Sequence, residues 1–268
     1  MDLVNENILH IKEDDFEFLK FKDLNKYENI EHAFSLKPYN FRKRAEINDE
    51  YKCFFDKLKL DFNSLVKPNQ NHTDNILVLD NKVEAEAPDI NLEYLENVDA
   101  LITNKKNIAL ATTSADCLCI FLYDYKKEVI ANIHSGWRGT FKKIAQKAAK
   151  KMIEVYSSNP RDIKAFFMPA IRKCHFEVDY DVMSECKIIF EYTNKLDEII
   201  GVGRIIDGKQ KYNIDNILIN RLILKEVGIL DENIVDSGIC SVCNKEKIHS
   251  RRADGLNFGL GTSIIMMK

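Results

Sequence analysis

The sequence has few residues that interrupt regular structure. Only five prolines and ten glycines occur among its 268 residues, and there is no internal repeat, low-complexity tract or linker rich in proline, glycine or serine. The glycines crowd into the segments 136–139, 201–208 and 255–261, which indicates loops with special backbone requirements rather than domain borders. We therefore expect a single domain that spans residues 1–268.

Long apolar runs and an excess of charge of one sign are also lacking. The longest apolar run, 117–123, is far too short to span a bilayer, and the first residues lack the basic and apolar regions of a secretory signal. The net charge is −3, with lysines and acids mixed along the chain. We expect a cytoplasmic protein, with no nucleic acid and no membrane among its partners.

The cysteines do not indicate a disulfide framework. There are seven of them, an odd number, and thiols stay reduced in the cytosol. Each is by default a small buried hydrophobic residue. Cys240 and Cys243 form a Cys-x-x-Cys pair, but no second such pair exists to complete four ligands. We interpret this pair as structural and expect it to be dispensable for metal binding.

Short apolar runs and a few amphipathic segments predict the secondary structure. Strands are predicted at 76–79, 100–103, 108–112, 118–123, 129–133, 164–167, 176–178, 202–206 and 234–236. Helices are predicted over 140–156, 182–192 and 216–227, whereas residues 1–70 give no clear pattern. Strands come in runs rather than in strict alternation with helices, which favours an α+β fold with mixed or antiparallel sheets.

The segment 114–140 carries the main functional signal. Two predicted strands flank the polar residues 124–127, which predicts a hairpin. With the turn centred between residues 125 and 126, Cys117 faces His134. Directly opposed side chains have Cβ atoms about 4.5–5.5 Å apart, which allows a thiolate and an imidazole to share one metal ion. The alternative is that both are ordinary core or rim residues.

A glycine-containing loop follows His134 directly. It leads into the helix predicted from Thr140, and a helix N-terminus presents free N–H groups and a favourable dipole to an anion. Arg138 adds a planar positive group suited to phosphate or carboxylate, with a structural salt bridge as the alternative. A third metal ligand would have to come from elsewhere. His72 lies in a polar loop just before a strand, and sequence spacing does not join it to Cys117.

At these residues the chain resembles the YfiH-type family, over about residues 30–268. The resemblance rests on segments that occur in a fixed order: Gln70-Asn-His72, Asp99-Ala-Leu-Ile-Thr103, Ser114-Ala-Asp-Cys117, His134-Ser-Gly-Trp-Arg-Gly139, Pro169-Ala-Ile171, Phe176-Glu-Val178, Cys240-Ser-Val-Cys243 and Ser250-Arg-Arg-Ala-Asp-Gly255. Members of that family were long named for multicopper polyphenol oxidation (laccase activity). They are now understood as zinc-dependent purine nucleoside phosphorylases, with adenosine deaminase activity and peptidoglycan editing also attributed to them.

The resemblance implies a site and a fold. It implies that His72, Cys117 and His134 are the three protein ligands of a zinc with an open fourth position, the pattern of a catalytic zinc. It implies packed mixed sheets flanked by helices (α/β/β/α), similar to the catalytic domain of cytotoxic necrotizing factors. It makes Arg252 a pocket residue, against the default of a surface charge. The chain departs from the family's usual pattern at Met168, Arg172, Lys173 and Leu260, so we expect the pocket to differ in detail.

The resemblance implies several activities, which these residues could serve in different ways. In phosphorolysis of purine nucleosides, Arg138 and Arg252 would bind phosphate, and Asp116 would handle protons beside Cys117 and His134. Hydrolytic deamination by a zinc-activated water is the second hypothesis. Copper-dependent polyphenol oxidation ranks lower, because a trinuclear cluster needs His-x-His pairs that the chain lacks, although two histidines and a cysteine could bind one copper. A Cys117–His134 hydrolase and a zinc-stabilised partner protein are the remaining alternatives.

Overall fold

The computed structural model describes residues 2–42, 49–79 and 95–268. Its strands are, in chain order, β1 (Ile8–Glu13), β2 (Phe16–Phe21), β3 (Ile30–Ser35), β4 (Leu65–Val66), β5 (Ile76–Leu79), β6 (Ala100–Thr103), β7 (Ala109–Ser114), β8 (Leu118–Asp124), β9 (Val129–Ser135), β10 (Ile163–Phe167), β11 (Glu177–Val178), β12 (Ile200–Ile206), β13 (Lys209–Ile214), β14 (Ile234–Asp236) and β15 (Gly261–Met267). Its α-helices are α1 (Asp49–Leu58), α2 (Trp137–Phe141), α3 (Ile144–Tyr156), α4 (Tyr180–Phe190), α5 (Leu196–Ile199), α6 (Asn216–Glu226) and α7 (Arg251–Asp254). None of the helices in these ranges combines the length and apolar character needed to cross a bilayer.

The strands form two large mixed sheets and one small sheet. The first has the order β1-β2-β3-β15-β7-β4, with β4 parallel to its neighbour and the other pairs antiparallel. The second has the order β14-β10-β8-β9-β6-β5, in which the two edge strands run parallel to their neighbours. The small sheet, β11-β13-β12, is antiparallel.

The two large sheets pack face to face, and helices cover their outer faces. Phe34 and Ile265 of the first sheet share one core with Phe121 and Phe166 of the second. Helix α1 packs on the outer face of the first sheet, and α3 and α6 pack on the outer face of the second. This layer order confirms the predicted α+β fold of packed mixed sheets flanked by helices. The likeness to cytotoxic necrotizing factors stays a prediction.

Strand β8 is buried on both faces because it lies in the middle of the second sheet. Leu118, Ile120 and Leu122 face the helices, whereas Cys119 and Phe121 face the first sheet, as the two-residue period of a strand requires. Burial on both sides explains the continuous apolar run in the sequence. A slip of one residue would reverse all of these side chains, so the face that each residue presents is strongly determined.

The β8–β9 hairpin forms as predicted, but its register differs by two residues. Cys119, not Cys117, pairs with His134, so the predicted pairing is wrong. The side chain of Asp124 accepts hydrogen bonds from the N–H groups of residues 126 and 127, each at 3.0 Å, and the turn is four residues long. A shift of two residues keeps His134 on the expected face and places Cys117 just before β8 begins.

The helix predicted over 140–156 is two helices. Helix α2 begins at Trp137, and α3 begins at Ile144 after Lys143, whose φ of 60° lies in the left-handed region. This residue interrupts the helical path even though the apolar spacing continues through it. The other predicted helices and strands agree with the structure to within two residues at each end.

Candidate active site

The three predicted metal ligands converge at one end of the second sheet. His72 comes from the loop before β5, Cys117 immediately precedes β8, and His134 lies near the end of β9. Their ligand atoms all lie within 4.8 Å of one another, and Cys117 Sγ is 3.6 Å from His72 Nε2. One thiol and two imidazoles at these distances form a group that could hold a metal ion.

Asp99, which the sequence analysis did not place in the site, holds two of these ligands. Its Oδ1 lies 2.8 Å from His134 Nδ1 and accepts the backbone N–H of His72 at 3.1 Å. Its Oδ2 accepts the N–H and the hydroxyl of Thr73, each at 2.7 Å. Because the carboxylate engages Nδ1, the Nε2 atom of His134 is left for a ligand, and such a carboxylate commonly orients metal-binding histidines.

The loop that carries His72 has a constrained backbone. His72 has a φ of 57°, a left-handed conformation that costs a non-glycine residue about 1–2 kcal/mol. Gln70 anchors the loop to β7, because its side chain accepts the N–H of Thr113 at 2.8 Å and donates to the carbonyl of Thr113 at 2.9 Å. The left-handed backbone at His72 directs its side chain toward the site. Hydrogen bonds from this loop to Asp99 and Thr113 offset the strain of that conformation.

Asp116, predicted as a catalytic residue, lies where three loops meet. It has a φ of 86° just before Cys117. Its Oδ1 accepts the hydroxyl of Ser241 at 2.6 Å, and its Oδ2 accepts the backbone N–H of Arg252 at 2.7 Å. Its carbonyl accepts the N–H of Ile171 at 2.9 Å. Asp116 therefore joins the loop that carries Cys117 to two other parts of the pocket wall.

The charges of the ligand set are coupled. Burial raises the pKa of the Cys117 thiol, but the charge of His134 and hydrogen bonds from both histidines lower it to about 6. Burial lowers the pKa of His134, yet the Cys117 thiolate and the Asp99 carboxylate raise it to about 10. Burial raises the pKa of Asp99, but hydrogen bonds from His134 and Thr73 bring it to about 2. The shifts in pKa favour a thiolate at Cys117, the form that binds metals, beside a protonated His134 whose ring would lose a proton on binding one.

Because Gly136 has no side chain, His72 and Cys117 can lie close to its backbone. A Cβ added there would lie 2.8 Å from His72 Cδ2 and 3.0 Å from Cys117 Sγ. Its φ of −60° is open to any residue, so the close approach, and not the backbone conformation, requires glycine.

A pocket of about 560 Å³ opens over the ligand set, a volume in the usual range for small-molecule sites. Residues from distant parts of the sequence line it: His72, Ala115, Asp116, Cys117, Trp137, Arg138, Ile171, Phe176, Asn216, Arg251 and Arg252. His134 is buried beneath it, with 3% of its surface exposed. The pocket therefore joins the ligand set to two aromatic rings and three arginines.

Arg138, which the sequence analysis predicted to bind phosphate, lines the pocket together with Arg251. The guanidinium carbon of Arg138 lies 4.1 Å from the centre of the Trp137 ring, and that of Arg251 lies 5.6 Å from the centre of the Phe258 ring. Across residues 2–42, 49–79 and 95–268, neither guanidinium has a hydrogen bond or an ion pair with a protein group. The sequence analysis did not assign Arg251 to the site, although its position next to the predicted Arg252 was an available signal.

Arg252 also lines the pocket, but its guanidinium is already engaged. Nη1 donates to the carbonyl of His175 at 2.7 Å, and Nη2 donates to the carbonyl of Glu177 at 2.9 Å. These bonds brace the pocket wall. Its role in phosphate binding stays a prediction, and Arg138 has more donors available.

The prediction that the anion-binding helix N-terminus lies near Thr140 is wrong in its position, and anion binding at the start of α2 stays a prediction. Helix α2 begins at Trp137, and the N–H of Thr140 donates to the carbonyl of Gly136 at 2.8 Å. Its hydroxyl bonds to Ser135 and Asn220 in the protein interior. Thr140 thus has no backbone donor left for an anion.

The prediction that Cys240 and Cys243 lack ligand partners is also wrong. Cys174 and His175 lie beside them, and the four ligand atoms are all within 4.8 Å of one another. The sequence analysis missed the adjacent Cys174-His175 pair, because it lies far from the Cys-x-x-Cys motif in the sequence.

The residues that depart from the family pattern lie outside the pocket lining. Met168 is buried in the core between the sheets, and Arg172 forms a two-pronged pair with Asp236 at 2.9 and 2.7 Å. The N–H of Leu260 donates to Asn40. These departures therefore act on the pocket only through neighbouring residues.

Comparison with known proteins places the chain in a family. Residues 31–268 match the family described as "Multi-copper polyphenol oxidoreductase laccase". The chain belongs to this family. It is 34% identical over 202 residues to "Adenosine deaminase RL5" from an unknown prokaryotic organism, covering 75% of this chain and 74% of that protein. It is 32% identical over 260 residues to "Purine nucleoside phosphorylase CA_C1699" from Clostridium acetobutylicum, covering 96% of this chain and 98% of that protein.

A solved structure shares the fold. The crystal structure of the Bacillus licheniformis hypothetical protein YfiH superposes with a TM-score of 0.81 at 25% identity, covering 94% of this chain and 96% of that one. The predicted resemblance to the YfiH-type family is therefore confirmed.

Proposed function

We propose that the chain is a single catalytic domain, residues 1–268, that cleaves purine nucleosides with phosphate and requires zinc. Adenosine or inosine would give the free base and ribose 1-phosphate. The observation that carries the proposal is the pocket in which His72, Cys117 and His134 lie beside Arg138, whose guanidinium has no hydrogen bond or ion pair within the described part of the chain. The relative named purine nucleoside phosphorylase, which aligns with 96% of the chain, supports the same reaction.

The donor set fits zinc. One thiolate and two imidazoles leave a fourth tetrahedral position open, which is typical of catalytic zinc. Gly136 gives the ligands room, and Asp99 fixes the orientation of His134. When bound, zinc would supply a Lewis acid that stabilises negative charge developed in the pocket. Copper is the alternative metal, because two histidines and a cysteine also bind copper.

The pocket walls suit a nucleoside and an anion. Trp137 and Phe176 offer ring surface against which a purine can stack. Arg138 would bind phosphate through its planar fork of N–H donors, and Arg251 would add a second positive charge. Arg252, which is bonded to two carbonyls, would keep the wall in place.

The proposed reaction is balanced without a further reactant. The bond from C1′ to the base breaks, and its electron pair leaves with the base. An oxygen of hydrogen phosphate forms the new bond to C1′, and the proton of hydrogen phosphate passes to the base. Asp116 already accepts hydrogen bonds at both oxygens. Because Asp116 also lines the pocket, the lone pairs that remain on its oxygens would accept a hydroxyl or amino group of the nucleoside.

Adenosine deamination is the second candidate. The relative that is 34% identical to the chain is named adenosine deaminase. This reaction would use the same pocket with water in place of phosphate, so Arg138 would not be needed for an anion. Phosphate dependence therefore separates the two candidates.

Two other activities have weaker support. A Cys117 nucleophile with His134 as its base agrees with the lowered pKa of the thiol. However, His72 Nε2 also lies 3.6 Å from the same sulfur, and a third group of this kind suits a ligand set better than a nucleophile and base. Polyphenol oxidation is supported by the family's description alone.

Product analysis of the purified protein tests the proposal. Phosphorolysis predicts free base from adenosine or inosine only with phosphate, at a rate that saturates with phosphate concentration. Base release without phosphate would indicate hydrolysis, and inosine formed from adenosine without free base would indicate deamination. Oxidation of a phenolic dye only with copper would indicate an oxidase. Cys117→Ala should abolish turnover, whereas Cys53→Ala, in α1, should retain it.

A further inference from the structure

A second group of soft ligands lies beside the pocket wall. Cys174 and His175 lie in the turn after β10, and Cys240 and Cys243 lie in the loop after β14. A parallel bridge between Ala170 and Cys240 holds the two loops side by side. All three cysteines are free thiols, with Cys240 buried and the other two exposed.

The distances among the four ligand atoms are those of a tetrahedral metal site. Cys174 Sγ lies 3.6 Å from Cys240 Sγ and 4.0 Å from Cys243 Sγ. His175 Nδ1 lies 3.2, 3.7 and 3.5 Å from the sulfurs of Cys174, Cys240 and Cys243. Zinc bonds of about 2.3 Å to sulfur and about 2.0–2.1 Å to nitrogen place sulfurs about 3.8 Å apart and each sulfur about 3.5 Å from the nitrogen. The five observed distances scatter around these values.

A disulfide or simple burial explains the cluster less well. A disulfide would bring two sulfurs to about 2.0 Å and would leave the third thiol and the imidazole without a role. Cys174 and Cys243 are exposed, which is unusual for cysteines that act as small hydrophobic residues. An imidazole nitrogen at similar distances from three thiols also satisfies no ordinary hydrogen-bond pattern, because thiols are weak donors and acceptors.

We propose that Cys174, His175, Cys240 and Cys243 bind a second zinc ion that joins the loop after β10 to the loop after β14. Three thiolates and one imidazole form a closed shell of four protein ligands, which is the pattern of a structural zinc. The site differs in this respect from His72, Cys117 and His134, which leave a position open. Binding would release the thiol protons, and the ion would stabilise the folded loops.

The second site would fix one wall of the pocket. The carbonyl of His175 accepts a hydrogen bond from Arg252 at 2.7 Å, and the next residue, Phe176, lines the pocket. Ser241, which lies between the two loop cysteines, donates to Asp116 at 2.6 Å. The ion would therefore position Asp116 and Phe176 without itself contacting a ligand in the pocket.

Metal content distinguishes the two sites. Elemental analysis of protein purified without added metal should give two zinc ions per chain. The Cys174→Ser, Cys243→Ser double variant and the His72→Ala, Cys117→Ala double variant should each lose one ion, and Cys53→Ser should lose none. Zinc content that is unchanged in Cys174→Ser, Cys243→Ser would overturn the proposal. Two ions in a protein that converts no nucleoside would support this site and count against the proposed function.

Thiol reactivity of the unaltered protein gives a second test that needs no variant to fold. Because Cys174 and Cys243 are exposed, they should react quickly with iodoacetamide only when no metal holds them. We expect their alkylation, followed by peptide mass spectrometry, to accelerate at least about tenfold after a chelator has removed zinc. Fast alkylation before chelation, or a disulfide between Cys174 and Cys240 in the isolated protein, would overturn the proposal.

Discussion

Asp99 organises the proposed zinc site although it is not one of its ligands. Its two oxygens engage His134 Nδ1, the backbone of His72 and the side chain of Thr73. The residue is fully buried, so these bonds are shielded from water and each is worth more than it would be at the surface. The orientation of two ligands therefore depends on one carboxylate.

Replacement of Asp99 by Asn should weaken zinc binding. The amide keeps the shape but offers only one acceptor oxygen, so either His134 or the His72 loop loses its partner. Loss of an outer carboxylate of this kind costs about 10–100-fold in metal affinity, which competition with a chromophoric chelator measures. Asp124→Asn is the matched control, because Asp124 is equally buried but caps a distant turn. A similar loss of affinity in both variants would contradict this role.

Replacement of Arg138 by Ala should raise the KM for phosphate more than the KM for nucleoside. The guanidinium stacks on Trp137 but has no hydrogen bond or ion pair among the described residues, so its removal takes a charge from the anion site and leaves the metal ligands intact. We expect an increase of about tenfold or more in the phosphate KM, measured by steady-state kinetics. Arg161→Ala, outside the pocket, should change neither constant. Equal effects on both substrates would argue against a phosphate site at Arg138.

At the level of elements, the junction between β9 and α2 brings side chains to the pocket. Strand β9 ends at Ser135, and α2 begins two residues later at Trp137. The short helix presents Trp137 and Arg138 to the pocket, while the glycine before it clears the space above His72 and Cys117. The geometry of this turn therefore sets both the anion-facing and the metal-facing parts of the site.

Gly136→Ala should reduce metal affinity without unfolding the protein. The added methyl group would meet His72 and Cys117 at 2.8 and 3.0 Å, so at least one ligand must move. We expect a loss of affinity of about tenfold or more, measured by chelator competition, with the far-UV circular dichroism unchanged. Gly201→Ala is the control, because its methyl group meets the flexible end of Lys173 at 3.2 Å. Normal metal affinity in Gly136→Ala would show that the ligands do not need this space.

At the level of the whole molecule, the interface between the two large sheets contains a buried histidine. His32 of β3 is 1% exposed, and its Nε2 accepts the backbone N–H of Phe21 at 2.8 Å. Burial, helped by the charge of Lys20, lowers the pKa of His32 to about 3. The imidazole is therefore neutral in the folded protein at all but very acid pH.

This histidine should make the fold sensitive to acid. The unfolded chain protonates His32 near pH 6.5, whereas the folded chain resists protonation until about pH 3. The stability that the neutral ring contributes is complete above pH 6.5. It is lost as the pH falls toward 3, by about 1.4 kcal/mol for each pH unit. Urea unfolding at a series of pH values should show a shallower loss in His32→Gln, whose amide oxygen can still accept the N–H of Phe21. An equally steep loss in the variant would exclude His32 as the cause.

The sequence by itself determined the elements whose pattern repeats within a few residues. The buried strands β8 and β9, the shorter strands β5, β6 and β14, and helix α6 all follow from apolar periodicity between turn residues. The candidate metal ligands could be predicted for a similar reason, since the resemblance depends on short motifs around His72, Cys117 and His134. Strands β1–β3 and helix α1 could not be predicted, because charged residues are interspersed with the apolar ones in residues 1–70 and only packing on the rest of the protein shows which apolar residues are buried together.

Only the tertiary structure decided the register of the β8–β9 hairpin and which distant residues converge at the two sites. The side chain of Asp124 lengthens a turn and moves the pairing by two residues, which no apolar pattern reveals because both registers bury the same faces. Asp99 joins the site through hydrogen bonds to a loop 26–28 residues away in the chain. Cys174 and His175 meet Cys240 and Cys243 because the strands preceding their loops, β10 and β14, are parallel neighbours in one sheet. Periodicity describes neighbours along the chain, whereas these contacts depend on the paths of loops that only the packed sheets position.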